Sequence, residues 1–113
     1  MSDAQITVAR LRREVADFVA ARDWESFHTP KNLSLAIAVE AAELIEHFLW
    51  LGGKEPVEEG KRTAVADELA DVLIYVLALA NVLDVDLSKA VLSKLERNEE
   101  RFPVEEWRGR IGG

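Results

Sequence analysis

The stretch that decides the fold is residues 33–51, LSLAIAVEAAELIEHFLWL. It is rich in leucine and alanine and contains no glycine or proline, which predicts a helix. From Leu35 onward its only polar residues are three glutamates and one histidine, so we expect this helix to be buried on nearly every side. Glu40 and Glu43 are three residues apart and therefore share one face of the helix.

A second acidic pair, Glu68 and Asp71, opens another apolar run, VLIYVLALA at 72–80. In a chain with 21 acidic residues, an isolated pair of this kind is ordinarily a solvated helix face. Here both pairs lie in apolar helices, where carboxylates are costly unless they are paired or bind a metal. Four carboxylates without cysteine favour a site for a hard cation, Mg²⁺ or Mn²⁺.

A di-iron centre is the competing metal site, and it requires Glu-x-x-His on two helices. The chain offers this spacing only at Glu25 and His28, in an irregular stretch. The absence of cysteine also excludes disulfides and zinc–thiolate sites. The sequence therefore favours the hard-cation site over di-iron.

Composition limits the class of protein. The chain has 113 residues, 49% of them apolar, which predicts one domain over 1–113 with a short tail at 104–113. A net charge of −7 argues against nucleic-acid or anionic-membrane partners. Neither a signal peptide nor a membrane-spanning run is evident, so a cytoplasmic location is expected.

Apolar periodicity predicts four helices, at about 6–21, 30–51, 63–83 and 87–101. Thr29-Pro30 is expected to open the second helix and Gly52-Gly53 to end it, before a polar loop at 54–61. Asp86 is expected to cap the fourth helix. We predict an all-α, four-helix bundle. The third helix is expected to pack through Val65, Leu69, Val72, Val76, Leu79 and Leu83. The surplus apolar surface of the second and third helices predicts a homo-oligomer.

Several side chains suit nucleotide binding, although each also has an ordinary structural explanation. Lys94, Asn98 and Arg101 form one helical stripe that can bind phosphates, yet cations are also favoured near a helix C-terminus. Trp24 and Trp50 can stack on a base or simply pack in a core or interface. The residues alone leave both explanations open.

Four segments together resemble the all-α nucleoside triphosphate pyrophosphohydrolases related to MazG, and are most similar to the dCTP pyrophosphatase branch. They are RDWESFHTPKNL at 22–33, EAAELIEHFLW at 40–50, ELADVLIY at 68–75 and DLSKAVLSKLERNEERFP at 86–103. They occur in the family's order, and the resemblance covers roughly residues 8–104. It implies hydrolysis of dCTP, or a modified dCTP, to the monophosphate and pyrophosphate, as removal of unwanted nucleotides.

The resemblance also implies a role for particular residues. It implies a Mg²⁺ site built from Glu40, Glu43, Glu68 and Asp71, and phosphate contacts from Lys94, Asn98 and Arg101. Tyr75 would lie beside the sugar and phosphates, Trp24 and Trp50 would flank the base, and His28 and Asn32 would border it. Family members assemble as dimers of dimers with pockets at subunit interfaces, which implies a tetramer.

The chain departs from the family pattern at two positions. Val39 stands where wider MazG-type proteins often carry an acid, and Val15 stands where the animal dCTP enzymes have a histidine near the base. The second departure leaves the base preference open. Two other functions remain: a non-catalytic helical assembly module, and a nucleotide-binding regulator that turns over slowly.

Overall fold

The chain is all-α over residues 1–110, the part that the computed structural model describes. This confirms the all-α part of the predicted fold class. The helices are α1 (Val8–Ala21), α2 (Pro30–Glu46), α3 (Glu59–Leu83), α4 (Leu87–Arg101) and α5 (Val104–Trp107), with a 3₁₀ helix at Glu25–Phe27 between α1 and α2.

Two helix starts form as the sequence predicts. The Thr29 hydroxyl accepts a hydrogen bond from the Asn32 backbone N–H at 3.2 Å, and Pro30 is the first residue of α2. The Asp86 carboxylate accepts from the Lys89 backbone N–H at 3.0 Å and caps α4. Each cap satisfies a backbone donor that has no partner within its helix.

The predicted end of α2 is wrong, because the helix stops at Glu46 rather than near 51. Beyond it the backbone forms turns closed by bonds between residues three positions apart. The Phe48 N–H donates to the Ile45 carbonyl at 2.9 Å, and the Leu51 N–H donates to the Phe48 carbonyl at 3.1 Å. The chain has therefore left the α-helical pattern before it reaches the glycines at 52–53, which do not cap α2.

The predicted loop at 54–61 is wrong in its last part, since α3 begins at Glu59. The Glu58 carbonyl accepts from the backbone N–H groups of Lys61 and Arg62 at 2.9 and 3.2 Å, which closes the first turn around Gly60. A glycine in a first turn costs little because the residues there are only partly constrained by helical bonds.

The predicted tail contains α5. The Trp107 ring meets the Phe102 ring edge-on, with centroids 5.1 Å apart, which folds α5 back against the end of α4. Residues 111–113 of the predicted tail lie outside the described residues, and one domain over 1–113 stays a prediction.

The centre of the chain is a hairpin of α2 and α3, which make the most extensive contact, and α1 packs on α3. The hairpin is antiparallel, because Glu40 in the second half of α2 meets Glu68 in the first half of α3. The contacts of α4 with α1, α2 and α3 are marginal, so one chain does not by itself close the predicted four-helix bundle. The buried core consists of Val19, Leu33, Leu77, Ala78 and Ala80.

Much of the apolar surface that the sequence predicts to be buried is exposed in the single chain. Leu35 and Val39 of α2 are more than half exposed, as are Leu69 and Leu83 from the predicted seam of α3. The chain exposes 9060 Å², whereas a compact monomer of 12.6 kDa exposes about 6,200 Å². Its radius of gyration is 17.1 Å, against about 13 Å for a compact domain of this length. Over residues 1–110, no helix has the length and hydropathy needed to cross a membrane.

Candidate active site

Three carboxylates meet where α2 and α3 face each other. Glu40, Glu68 and Asp71 each offer one oxygen, and these oxygens all lie within 4.8 Å of one another. All three side chains are half-buried. The Oε2 atoms of Glu40 and Glu68 are buried without a hydrogen-bond partner. We call Glu40, Glu68 and Asp71 the acidic cluster.

The surroundings raise the pKa of Glu40 from its ordinary 4.5 to about 7. The largest cause is desolvation by burial, followed by the neighbouring carboxylates of Glu43 and Glu68 and by the negative charge of Asp71. Ionised carboxylates repel one another and have no proton with which to form a hydrogen bond. A proton on Glu40 removes one negative charge and allows Glu40 to donate a hydrogen bond to a neighbouring carboxylate. Glu43 is thus a neighbour of the acidic cluster, although its carboxylate is not among the three that converge.

The acidic cluster suits a hard divalent cation. Its donors are carboxylate oxygens, which Mg²⁺ prefers, and no cysteine competes for the site. Burying two carboxylate oxygens without hydrogen-bond partners costs free energy. A cation bound between them would interact with both oxygens and offset that cost. The donor set therefore fits the predicted magnesium.

An apolar pocket of about 680 Å³ opens beside the acidic cluster, between α1 and α3. Its polar groups come from Glu14, Trp24, His28, Asp71 and Tyr75. Its apolar walls are Leu11, Val15, Phe18 and Val19 from α1, and Ala70, Leu73, Ile74 and Leu77 from α3. A pocket of this size with few polar groups is typical of small-molecule sites. Asp71 belongs to both the pocket and the acidic cluster.

The end of α1 positions Trp24. Asp23 adopts a left-handed conformation with φ of 54°, and the Trp24 N–H donates back to the Val19 carbonyl at 3.1 Å. This turn brings the Trp24 ring edge-on to Phe18, with centroids 5.9 Å apart. The Arg22 guanidinium covers the Phe18 ring at 3.6 Å. Two aromatic side chains are thereby held at the pocket mouth.

The structure thus brings together six of the predicted site residues and leaves others apart. The acidic cluster contains three of them, Glu40, Glu68 and Asp71. The pocket is lined by Asp71 and by the other three, Trp24, His28 and Tyr75. Trp50 is 93% exposed in the turn after α2, so it does not face Trp24 across the pocket of its own chain. The Asn32 amide donates to the Phe27 carbonyl at 3.0 Å and ties the 3₁₀ helix to α2.

The predicted phosphate stripe on α4 contributes no residue to the pocket lining or to the acidic cluster. Lys94 and Arg101 are exposed and Asn98 is half-buried. Over residues 1–110, no side-chain hydrogen bond or ion pair joins these three to the acidic cluster or the pocket. The Arg101 guanidinium lies over the Phe102 ring at 5.0 Å.

The residue pattern alone missed the part that α1 plays in the pocket, although the family resemblance had placed Val15 near the base. The apolar spacing of Leu11, Val15 and Phe18 indicates a core face, and nothing in it distinguishes a core from a pocket wall. Phe18 is in fact 51% exposed. Glu14, a charged residue beside this face, also lines the pocket and was a further signal in the sequence.

The chain resembles known proteins in sequence and in fold. Rat dCTP pyrophosphatase 1 is 47% identical over 107 residues, which is 91% of this chain and 63% of the rat protein. The human protein of that name is 48% identical over 102 residues, 87% of this chain and 60% of its own length. A crystal structure of a pyrophosphatase from Archaeoglobus fulgidus superposes with a TM-score of 0.81 at 36% identity, covering 91% of this chain and 98% of that one.

The match to the family model covers most of the chain. The chain spans less than two thirds of the length of the curated mammalian relatives that it matches. The model of the MazG-like family matches residues 35–110, which include the acidic cluster and the whole of α4. On this match, the chain belongs to the MazG-like family.

Proposed function

We propose that this chain is a Mg²⁺-dependent nucleoside triphosphate pyrophosphohydrolase acting on dCTP or a modified dCTP. The products are the nucleoside monophosphate and pyrophosphate. The similarity to rat and human dCTP pyrophosphatase 1 supports the reaction and the substrate class. The MazG-like match and the archaeal pyrophosphatase fold support the same activity.

The single observation that carries the proposal is the position of Asp71. Its carboxylate is one of the three in the acidic cluster, and the same residue lines the apolar pocket. A nucleotide has a flat base with stackable faces at one end and a polyanion at the other. The pocket suits the base, and the adjoining cation site suits the phosphates.

Mg²⁺ would be held by Glu40, Glu68 and Asp71, with Glu43 as a fourth carboxylate nearby. A bound Mg²⁺ neutralises phosphate charge and lowers the pKa of a coordinated water. The carboxylates themselves are poor nucleophiles towards a polyanion, because like charges repel. Their contribution is to hold the cation and to keep the phosphates near the pocket mouth.

The pocket side chains bind and orient the substrate. Trp24 and Phe18 offer aromatic surfaces for the base, and Tyr75 offers a hydroxyl one helical turn beyond Asp71. With the base held there, the α-phosphate lies nearest the acidic cluster. Water attacks the α-phosphorus, the bond between that phosphorus and the bridging oxygen breaks, and pyrophosphate leaves with the electron pair.

We also propose that the working enzyme is a tetramer, a dimer of dimers. The single chain exposes far more surface than a compact monomer of its mass and leaves apolar residues of α2, α3 and α4 uncovered. Lys94, Asn98, Arg101 and Trp50 do not reach the pocket of their own chain, so in the tetramer they would complete the pocket of another subunit. Sedimentation should give a mass of about 50 kDa, four times that of the chain.

The reaction is tested by hydrolysis in ¹⁸O-labelled water with a panel of nucleoside triphosphates. We expect dCTP or a modified dCTP to be among the best substrates, label only in the monophosphate, and no turnover when Mg²⁺ is chelated. Label in pyrophosphate would place the attack at the β-phosphorus. Stepwise release of inorganic phosphate would contradict the proposed reaction.

Matched variants test the site. Asp71→Asn should nearly abolish turnover, whereas Asp67→Asn, an exposed carboxylate one turn earlier on α3, should leave it unchanged. If the wild-type chain binds dCTP with Mg²⁺ but does not turn over, the chain is a nucleotide-binding regulator. If dCTP and Mg²⁺ give no protection against thermal unfolding, it is an assembly module.

A further inference from the structure

Arg12 makes the most extensive side-chain hydrogen-bonding network that the structure describes within residues 1–110. Its Nε donates to Asn81 Oδ1 at 3.0 Å, its Nη1 to the Val85 carbonyl at 2.6 Å and its Nη2 to the Ala80 carbonyl at 3.1 Å. Asn81 Nδ2 donates in return to the Arg12 carbonyl at 3.0 Å. These four bonds link α1 to the end of α3, and we call them the Arg12–Asn81 clamp.

The clamp brings a positively charged group to carbonyls at the end of α3 and in the connection between α3 and α4. The last carbonyls of α3 have no partner further along the helix, and the helix dipole gives this end a partial negative charge. Asp84 turns the chain with φ of 54°, and the Val85 N–H returns to the Ala80 carbonyl at 3.0 Å. The flat, permanently charged guanidinium meets two carbonyls and one amide oxygen at once, which a lysine cannot do.

The location of the clamp connects two parts of the proposed nucleotide site. α1 and α3 are the two walls of the 680 Å³ pocket, and the clamp joins them to each other. Val85 immediately precedes Asp86, the residue that caps α4. By holding the Val85 carbonyl, Arg12 also fixes the point at which α4 leaves the core. α4 is the helix that carries the Lys94, Asn98 and Arg101 stripe.

We propose that Arg12 and Asn81 are positioning residues for nucleotide binding, an inference that rests on the proposed function. Neither side chain lines the 680 Å³ pocket or belongs to the acidic cluster, so neither is assigned a contact with substrate or metal. The clamp sets the spacing of the pocket walls and the starting direction of α4. Its loss loosens substrate binding while the acidic cluster on α2 and α3 stays assembled.

The test compares steady-state kinetics of Arg12→Ala, Arg12→Lys and Asn81→Ala with wild type. A variant that weakens the binding of the substrate and of the transition state equally raises KM and leaves kcat unchanged. We expect Arg12→Ala to raise KM about tenfold with kcat within about twofold, and Mg²⁺ affinity to be unchanged. Arg12→Lys, which retains one donor group, should lie between. Arg13→Ala is the matched control, because Arg13 is the exposed neighbour of the same type.

A brace with no positioning role would lower the melting temperature and the active fraction without moving KM. An unchanged KM in soluble Arg12→Lys and Asn81→Ala therefore overturns the inference, even if Arg12→Ala does not fold.

Amide hydrogen exchange provides a readout that does not depend on turnover. Exchange should rise in α1 and in the first turn of α4 in all three variants, and unchanged exchange there overturns the clamp. If the wild-type chain hydrolyses no triphosphate, the proposed function is wrong. The hydrogen-exchange result then tests on its own whether the clamp holds α1 and the start of α4.

Discussion

Binding of Mg²⁺ should release protons from the acidic cluster in an amount that depends on Glu40. The pKa of Glu40 is raised to about 7, by burial first and then by the nearby carboxylates. A cation needs the ionised carboxylate, so binding expels whatever proton Glu40 carries. The released number follows from this pKa: about 0.9 proton per chain at pH 6, about 0.5 at pH 7 and about 0.1 at pH 8.

The same shift determines how the metal-free protein responds to pH. Because the folded pKa lies above the ordinary 4.5, the folded state binds the proton more tightly between pH 4.5 and about 7. The contribution of Glu40 to stability is therefore greatest below pH 4.5 and declines as pH rises through 7. Glu40→Gln removes the titrating group, so this part of the pH dependence should disappear.

Isothermal titration calorimetry measures the proton number directly. Mg²⁺ is titrated at pH 6, 7 and 8 in buffers with different ionisation enthalpies, and the dependence of the observed heat on buffer gives the protons released. Thermal melts of the metal-free wild type and Glu40→Gln follow the pH dependence of stability, with Asp67→Asn as the control. Proton release that does not change from pH 6 to pH 8, or identical melting profiles for wild type and Glu40→Gln, would refute this account of Glu40.

Five other substitutions test the pocket, the stripe, the core and the oligomer. Trp24→Ala should cost about 1–3 kcal/mol of nucleotide binding, the usual contribution of a stacked base, measured with a slowly hydrolysed analogue. Lys94→Ala and Asn98→Ala should each lower kcat/KM by a factor that corresponds to about 1.5–3 kcal/mol of lost transition-state stabilisation. An unchanged kcat/KM would contradict a contact with the phosphates. Leu33 is 2% exposed, and Leu33→Ala should destabilise the fold by about 2–5 kcal/mol in chemical denaturation. Leu92 is 68% exposed in one chain, so Leu92→Glu should matter little to a monomer but dissociate a tetramer in sedimentation.

Local chemistry allowed much of the fold to be predicted. The start of α2 at Pro30 and the start of α4 after Asp86 follow from capping, which needs only neighbouring residues. The predicted C-terminal end of α2 was wrong, because the glycines at 52–53 are a strong local stop signal but the helix ends earlier, at Glu46. The predicted beginning of α3 was also wrong, since the helix starts at Glu59. Periodicity predicted apolar faces correctly but could not say whether a face meets a core, a pocket or another copy.

The convergence of the acidic cluster could be anticipated only in part. Spacing of three residues places Glu68 and Asp71 on one face of α3, which is local information. That Glu40 joins them depends on the register of the α2–α3 hairpin, which the sequence pattern does not determine. The position of Glu43 beside the cluster rather than within it depends on the same register. The Arg12–Asn81 clamp joins residues 69 positions apart, and no local pattern indicates it.

The arrangement of side chains on α4 links the proposed phosphate contacts to assembly. Leu87, Val91 and Leu95 recur every four residues and form one apolar row, and Val91 and Leu95 are each 54% exposed in the single chain. Lys94 lies three residues after Val91, and Asn98 lies three residues after Leu95, so both polar side chains border the same row. A copy of the chain that covered the row would exclude water from it and would bring its own surface against Lys94 and Asn98. Phosphate binding by this stripe and burial of the row would then form together, so a nucleotide that binds the stripe would also favour the assembled state.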